Sequence, residues 1–427
     1  MVKRPGLPLY QITQRLRGRS AAEARLARGV ATGEEDAART GERRGHATVP
    51  RPDGPLVWLH AGNEGEALGF PELIDRLRDE RDELHFLVTT ARHDPDHPLE
   101  ARLPSDVILQ YAPYDFARGA EAFVAHWKPD ICIWAENRFE PDLIEAAGKS
   151  GTEMFLVDAR VPERPGWRWV PGIRRALLRR FSYVLAGDKV AAEGLMGLGV
   201  SNSRIEAVGF LQEGTAPLPC SQAERDMIAE QLGARPVWLA AGVRGSEVDM
   251  VIGVHRSVMR RSHRLLLILL PQDMASGPEL KERLEDDGWV VGLRSVEDEP
   301  EPEVEIYIVD EPGELGLWYR LAPVSFMGGS LTTGALRNPF EAAALGSAVI
   351  YGPQTGSWRE SYERLRDAGA AWLARDEAAL NAGLEHLLQP DKTAEMAAAA
   401  WEVTTNGAEA TDRVVELVMD ALDRRGL

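Results

Sequence analysis

Val324-Ser325-Phe326-Met327-Gly328-Gly329-Ser330 reads as a buried strand running into a glycine turn. Its first residues are apolar and β-prone, and the glycine pair lets the backbone turn tightly and approach a ligand closely. Asn338-Pro339-Phe340-Glu341 then opens a helix, with Asn as N-cap, Pro at the first helical position and Glu at the third. Phe340, Ala343 and Ala344 supply its apolar face, and Ser347-Ala348-Val349-Ile350-Tyr351 is the next strand, ending at Gly352-Pro353. A helix N-terminus turned toward a glycine turn offers unpaired N–H groups and the positive end of its dipole. That combination suits the phosphate of a nucleotide sugar. Glu341 also has a purely local reading, as the closing residue of a capping box.

The same alternation extends along almost the whole chain. Strands are expected at 56–60, 85–89, 107–110, 131–134, 154–157, 183–186 and 205–208, and again at 237–240, 265–270, 289–291, 305–309, 324–327, 348–351 and 371–373. Strands separated by helical patterns imply an α/β fold of two Rossmann-like, doubly wound domains. The expected organisation is a basic segment over 1–45, a first domain over 46–212 and a linker over 213–235. A second domain follows over 236–392, with a helix over 393–427 packing back on the first domain. Gly214-Thr215-Ala216-Pro217-Leu218-Pro219 marks the linker, because it sustains neither a helix nor a central strand. Ligands of open parallel sheets bind beyond the carboxyl ends of the strands, so both domains are expected to face a central cleft.

At 427 residues and 44% hydrophobic content, both domains can bury a core. A formal charge of −18 argues against nucleic acid as a partner, since that needs a basic surface. Cys132 and Cys220 match no metal spacing and read as reduced cytosolic residues. The longest apolar run, 265–270, is a core strand rather than a membrane span, and the apolar patch at 7–10 is too short for a signal core. These features read as a soluble or peripheral cytoplasmic protein.

Three strand ends carry charged loops. His60-Ala61-Gly62-Asn63-Glu64-Gly65-Glu66 follows the first strand, and a glutamate there can take a proton from an attacking hydroxyl or stabilise a helix N-terminus. Glu136 and Arg138 follow the fourth strand, where they can bind a sugar and an anion or pair with one another. Asp158-Ala159-Arg160 closes the fifth strand in the same way. Basic residues gather at Arg164, Trp167, Arg168, Trp169, Arg174, Arg175, Arg179 and Arg180. Tryptophan with arginine suits a lipid headgroup interface, and a solvated helix face is the alternative.

The chain resembles the 3-deoxy-D-manno-octulosonic acid (Kdo) transferases of lipopolysaccharide synthesis. The matching residues run in order: Gly41-Glu42-Arg43-Arg44-Gly45, Leu59-His60 with Gly65-Glu66, Glu136 with Pro141-Asp142-Leu143-Ile144, and Ala159-Arg160. They continue through Gly313-Glu314-Leu315, Gly328-Gly329-Ser330-Leu331, Asn338-Pro339-Phe340-Glu341-Ala342-Ala343, and Gly352-Pro353 with Thr355. The resemblance implies a GT-B glycosyltransferase that inverts the anomeric centre, with no cofactor and no catalytic metal. It implies a first domain for the lipid A-type or lipid-linked acceptor and a second for the donor CMP-Kdo, at the inner face of the inner membrane. Glu66 falls on the position of the general base. Glu136, Arg138 and Arg160 fall on the acceptor side. Gly328, Gly329, Ser330, Asn338 and Glu341 fall on the donor side, and Trp167, Arg168, Trp169, Arg174 and Arg175 on a membrane-facing surface.

Several polar positions depart from the family pattern. The usual Glu-Thr-Glu-x-Trp-Pro loop reads Glu136-Asn137-Arg138-Phe139-Glu140-Pro141, and Ser-Thr-His-x-Gly-Glu reads Gly242-Val243-Arg244-Gly245-Ser246-Glu247. Pro-Arg-His-Pro becomes Pro271-Gln272-Asp273-Met274. Gln212 replaces a lysine, and Arg337 and Gln354 replace histidines. The family's N-terminal hydrophobic anchor is shortened to 7–12. Arg244 and Arg337 are the expected substitutes for the lost donor-side cations. A non-catalytic relative that binds nucleotide, lipid or protein, and a transferase using another donor sugar, are the competing expectations.

Overall fold

The computed structural model describes residues 6–32, 35–62, 66–67, 69–91, 103–135, 139–161, 172–211, 217–334 and 337–427. The chain forms two compact units, Met1–Gly214 with Asn406–Leu427, and Thr215–Thr405.

The first unit carries β1 (Leu56–Ala61), β2 (His85–Thr90), β3 (Ile108–Tyr111), β4 (Ile131–Trp134), β5 (Glu153–Ala159), β6 (Tyr183–Ala186) and β7 (Ile205–Ala207). They form one sheet in the order β3-β2-β1-β4-β5-β6-β7, and every neighbouring pair is parallel. The helices are α1 (Gly6–Thr32), α2 (Phe70–Glu80), α3 (Ala117–Trp127), α4 (Pro141–Ser150), α5 (Ile173–Leu178) and α6 (Lys189–Gly197). In α2, Pro71 sits in the first turn, and Phe70, Leu73, Ile74 and Leu77 repeat at helical spacing and are buried.

The second unit holds β8 (Val237–Val243), β9 (Leu266–Pro271), β10 (Val291–Leu293), β11 (Ile306–Ile308), β12 (Val324–Met327), β13 (Ala348–Tyr351) and β14 (Ala371–Leu373). Their order is β10-β11-β9-β8-β12-β13-β14, again with parallel pairs throughout. Around them lie α7 (Gln222–Leu232), α8 (Ser246–Met259), α9 (Gly277–Asp286), α10 (Leu315–Leu321), α11 (Pro339–Ala344), α12 (Arg359–Asp367) and α13 (Glu377–Leu387). Helix α14 (Pro390–Arg425) begins in this unit, and its residues from Asn406 onward belong to the first. There Val414, Val418, Ala421 and Leu422 share one buried cluster with Leu59, Ile74 and Val88. Their spacing puts them on one helical stripe.

Both expected sheets are present, with local differences. The strand expected at 289–291 is displaced to Val291–Leu293, because the Trp289 amide still bonds Leu284 O at the end of α9, after a turn at Gly288 with φ 88°. The basic 1–45 segment contains a helix, α1, that charge alone does not announce. Alanine, leucine and arginine are strong helix formers, and Leu26 anchors the helix by packing with Tyr114 and Phe116. Among the described residues no helix is long and apolar enough to cross a membrane.

Candidate functional site

In a doubly wound sheet the ligand crevice opens where the strand order reverses. In the second unit this point lies between β8 and β12, whose ends Ala241 and Met327 are paired. The Gly328 amide bonds Ala241 O at 2.8 Å. A Cβ on Gly328 would lie 2.4 Å from both the carbonyl carbon and the oxygen of Gly242, so only glycine lets these turns touch. Gly242 and Gly329 adopt φ 77° and 80°, which a side chain disfavours. Gly328→Ala is accordingly expected to destabilise this unit by about 1–3 kcal/mol, which urea unfolding would measure.

The turn is held from below by Glu247, which is fully buried in the first turn of α8. Its carboxylate accepts from the Gly329 amide and, at 3.0 Å, from the Leu331 amide. Burial pushes the Glu247 pKa up, and the two amide bonds and Arg244 oppose that shift. Ser330 is also fully buried. Its hydroxyl donates to Met327 O and accepts from the Gly352 amide at 2.7 Å, tying β12 to the end of β13. Asn338 caps α11 as expected, its Oδ1 accepting from the Phe340 amide at 3.0 Å.

These bonds correct one expectation. The amides of Gly328, Gly329, Leu331, Thr332, Thr333 and Gly334 all have acceptors inside the protein, and the first amides of α11 are taken by Asn338. The glycine turn therefore shapes the site without offering those N–H groups to a phosphate. Ser330 likewise positions two strand ends, its hydroxyl being already used on both sides.

Donors for an anion come from side chains instead. Arg244 donates from Nη2 to Gly334 O at 3.1 Å, and its Nε is buried with no partner among the described residues. Arg337 Nε is likewise buried and unpartnered, 3.0 Å from the point a Cβ on Gly242 would occupy. The Tyr362 hydroxyl is a further unpartnered donor, and its pKa is raised mainly by burial, with Tyr319 and Glu341 adding to the shift. Tyr319 is shifted upward in the same way, by burial first and then by Glu341, with Arg337 opposing. Each buried donor without an acceptor costs about 1–3 kcal/mol, and an anionic ligand between the two guanidinium groups would remove that cost.

In the first unit the strand order reverses between β1 and β4. Glu66 lies in the loop after β1, half-buried, and its Oε2 accepts from the Gly62 amide at 2.7 Å. The bonded amide belongs to the strand end, and the acidic residue in the first turn of α2 is Glu72. This holds the Glu66 carboxylate at the carboxyl end of β1.

His60, in contrast, is fully buried within β1. Trp58 Nε1 donates to Thr89 Oγ1 at 2.8 Å, and the same hydroxyl is hydrogen-bonded to His60 Nδ1, also at 2.8 Å. The ring packs 4.0 Å from that of Trp134. Burial lowers the His60 pKa to about 4, Glu140 opposing and Arg43 reinforcing the shift. A neutral imidazole with no exposure is a poor rival to Glu66 as proton acceptor.

The pH consequence follows from the sign. His60, and His255 with its pKa lowered to about 3, stay neutral in the fold while their unfolded forms take up protons below about pH 6.5. Stability is thus expected to fall between about pH 6.5 and pH 4, by up to about 3 kcal/mol from His60. His60→Gln should flatten that part of a urea-midpoint-against-pH curve, and an unchanged slope would contradict this account.

The Gly41–Gly45 motif serves the same edge of the sheet. Arg43 is buried, pairs with Glu35 at 2.8 Å and donates to Thr90 O at the end of β2 and Ala112 O just after β3. Glu42 accepts from the Tyr111 amide at 2.6 Å. Arg160, after β5, lies with its guanidinium 4.5 Å from the Phe210 ring centre. Glu136, Arg138, Trp167, Arg168 and Trp169 lie outside the described residues. Arg174 is half-buried and Arg175 exposed on α5, while Arg180 is committed to Glu145 at 2.6 Å. Sequence reasoning gave no role to Glu247 or Arg43, although both sit in motifs it singled out. Among the described residues no group of three or more His, Cys, Asp or Glu could hold a metal ion.

Comparisons with known proteins bear on this geometry. Residues 38–212 match the family described as 3-deoxy-D-manno-octulosonic-acid transferase (kdotransferase). A probable mitochondrial 3-deoxy-D-manno-octulosonic acid transferase of Arabidopsis thaliana is 30% identical over 349 residues, covering 79% of this chain and 77% of the relative. The 3-deoxy-D-manno-octulosonic acid transferase of Rickettsia bellii is 26% identical over 366 residues, 85% of this chain and 87% of the relative. In fold, the chain is similar to MurG of Acinetobacter baumannii, with a TM-score of 0.51 and 14% identity over 86% of this chain and 100% of that one. The fold is GT-B, two Rossmann-like parallel-sheet units in one chain.

Proposed function

Since the chain belongs to the 3-deoxy-D-manno-octulosonic acid transferase family, we propose that it transfers Kdo from CMP-Kdo to a lipid A-type or lipid-linked acceptor. The observation that carries this reading is the pair of guanidinium groups, Arg244 and Arg337, whose buried Nε atoms lack acceptors among the described residues beside the Gly242 and Gly329 turns. CMP-Kdo supplies matching acceptors in its phosphate and its sugar carboxylate.

In this proposal Glu66 removes the proton from the acceptor hydroxyl as its oxygen attacks the anomeric carbon of Kdo. The bond from that carbon to the phosphate oxygen breaks, and CMP leaves with the electron pair. Inversion follows from this single displacement. Arg244 and Arg337 stabilise the charge that develops on the leaving phosphate, so no metal ion is required. Arg160 and the loop of Glu136 and Arg138 serve the acceptor, and Arg174 and Arg175 with the neighbouring tryptophans serve the inner-membrane surface.

Titration calorimetry with CMP, followed by donor consumption in the presence of acceptor and a chelator, tests the proposal. Binding with turnover that survives chelation is expected. Gln272 stands where the family has an arginine, which favours as the second reading a relative that binds without catalysis; CMP binding with no donor consumption would select it.

A further inference from the structure

At the opposite edge of the second sheet from the glycine turns, the end of α8 and the segments entering β10 and β11 enclose a depression of about 610 Å³. Arg256, Arg260 and His263 line it, and all three are exposed. None of them forms an ion pair among the described residues. In a chain whose net charge is −18, two unpaired arginines beside one hollow are conspicuous. Two carboxylates also border the hollow. Glu305 is occupied by the Val290 amide at 3.2 Å, and Asp287 is exposed.

Trp289 makes this more than a charged surface. Its indole is 8% exposed and lines the hollow, and its Nε1 is buried with no partner among the described residues. The Arg256 guanidinium lies 4.9 Å from its ring centre, which fixes that cation by stacking. His255 supports the same indole at 5.5 Å and is locked by Trp238 Nε1 and Glu305 O. A fixed guanidinium, a second free arginine and an unmet N–H donor around one hollow match the acceptor oxygens of a phosphate.

We propose that this hollow is a second anion site that takes a phosphate group, separate from the donor site and on the far edge of the same sheet. The phosphate can come from a phospholipid headgroup or from a free phosphorylated compound, and the test has an arm for each. The full-length protein, its Arg256→Glu/Arg260→Glu variant and Trp289→Phe would be titrated with inorganic phosphate. Each would also be sedimented with phosphatidylcholine vesicles with and without phosphatidylglycerol.

Binding by the wild type is expected to weaken roughly thirtyfold or more in the double variant, as for loss of two basic residues at an anionic surface. Trp289→Phe keeps the ring and removes the donor, so it should weaken phosphate binding while CMP binding stays intact. Phosphatidylglycerol-dependent sedimentation lost in the double variant assigns the site to a headgroup. Phosphate binding without sedimentation assigns it to a soluble ligand. Absence of both in the wild type, or binding that the variants retain, overturns the proposal. CMP titration of the same samples reports the donor site independently.

Discussion

Glu66→Gln is expected to lower turnover by about a hundredfold or more while leaving CMP affinity unchanged, the loss typical of a removed general base. The amide is nearly isosteric and can still accept from the Gly62 amide, as Glu66 does at 2.7 Å. Loop geometry should therefore survive while the proton acceptor is lost. Glu66 belongs to the first unit and the proposed donor residues to the second, so nucleotide affinity has no reason to move. Glu66→Asp should recover part of the rate, since a carboxylate remains within a bond length of its place. A turnover number unchanged in Glu66→Gln would remove Glu66 from the mechanism and return it to a local structural role.

Replacing Arg244 and Arg337 by methionine should act on the other half of the reaction. Each charge-assisted bond to the donor contributes about 1.5–3 kcal/mol, so each single variant is expected to bind CMP or CMP-Kdo roughly tenfold to a hundredfold more weakly. Stability should move the other way or not at all for Arg337→Met, whereas Arg244→Met also gives up the bond to Gly334 O and the cation beside Glu247. Both Nε atoms are buried without acceptors among the described residues, and removing an unmet donor relieves a cost. Weaker binding with undiminished stability separates a ligand-binding arginine from a structural one. Equal affinity in the double variant, measured by calorimetry, would contradict the assignment.

Much of this arrangement was legible in the sequence because it is local. Alternating apolar strands and helices announced both sheets, and Asn338-Pro339 announced the cap of α11. Glycine at 328 and 329 announced a close approach, which the structure gives to the Gly242 turn and the Gly334 carbonyl. What the Gly329 amide does was not legible, because its acceptor is Glu247, 82 residues away in sequence. A glutamate in a first helical turn looks like dipole compensation until its burial is seen. Helix α1 was hidden for another reason. Its basic charge drew the reading away from a run of helix-forming alanines, leucines and arginines, and its anchor, Leu26, packs against distant Tyr114 and Phe116. The Arg244 and Arg337 reading came from substitutions at motif positions, and the unpartnered Nε atoms give it a physical basis.

On the proposed reading, Arg244 and Arg337 make this divergent family member a working donor site despite the replaced polar residues. Release of CMP from CMP-Kdo, followed with and without a lipid A-type acceptor, tests it most directly. Acceptor-dependent CMP release by the wild type, abolished in Arg244→Met/Arg337→Met, is the predicted result. Tight CMP binding with no acceptor-dependent release would contradict it.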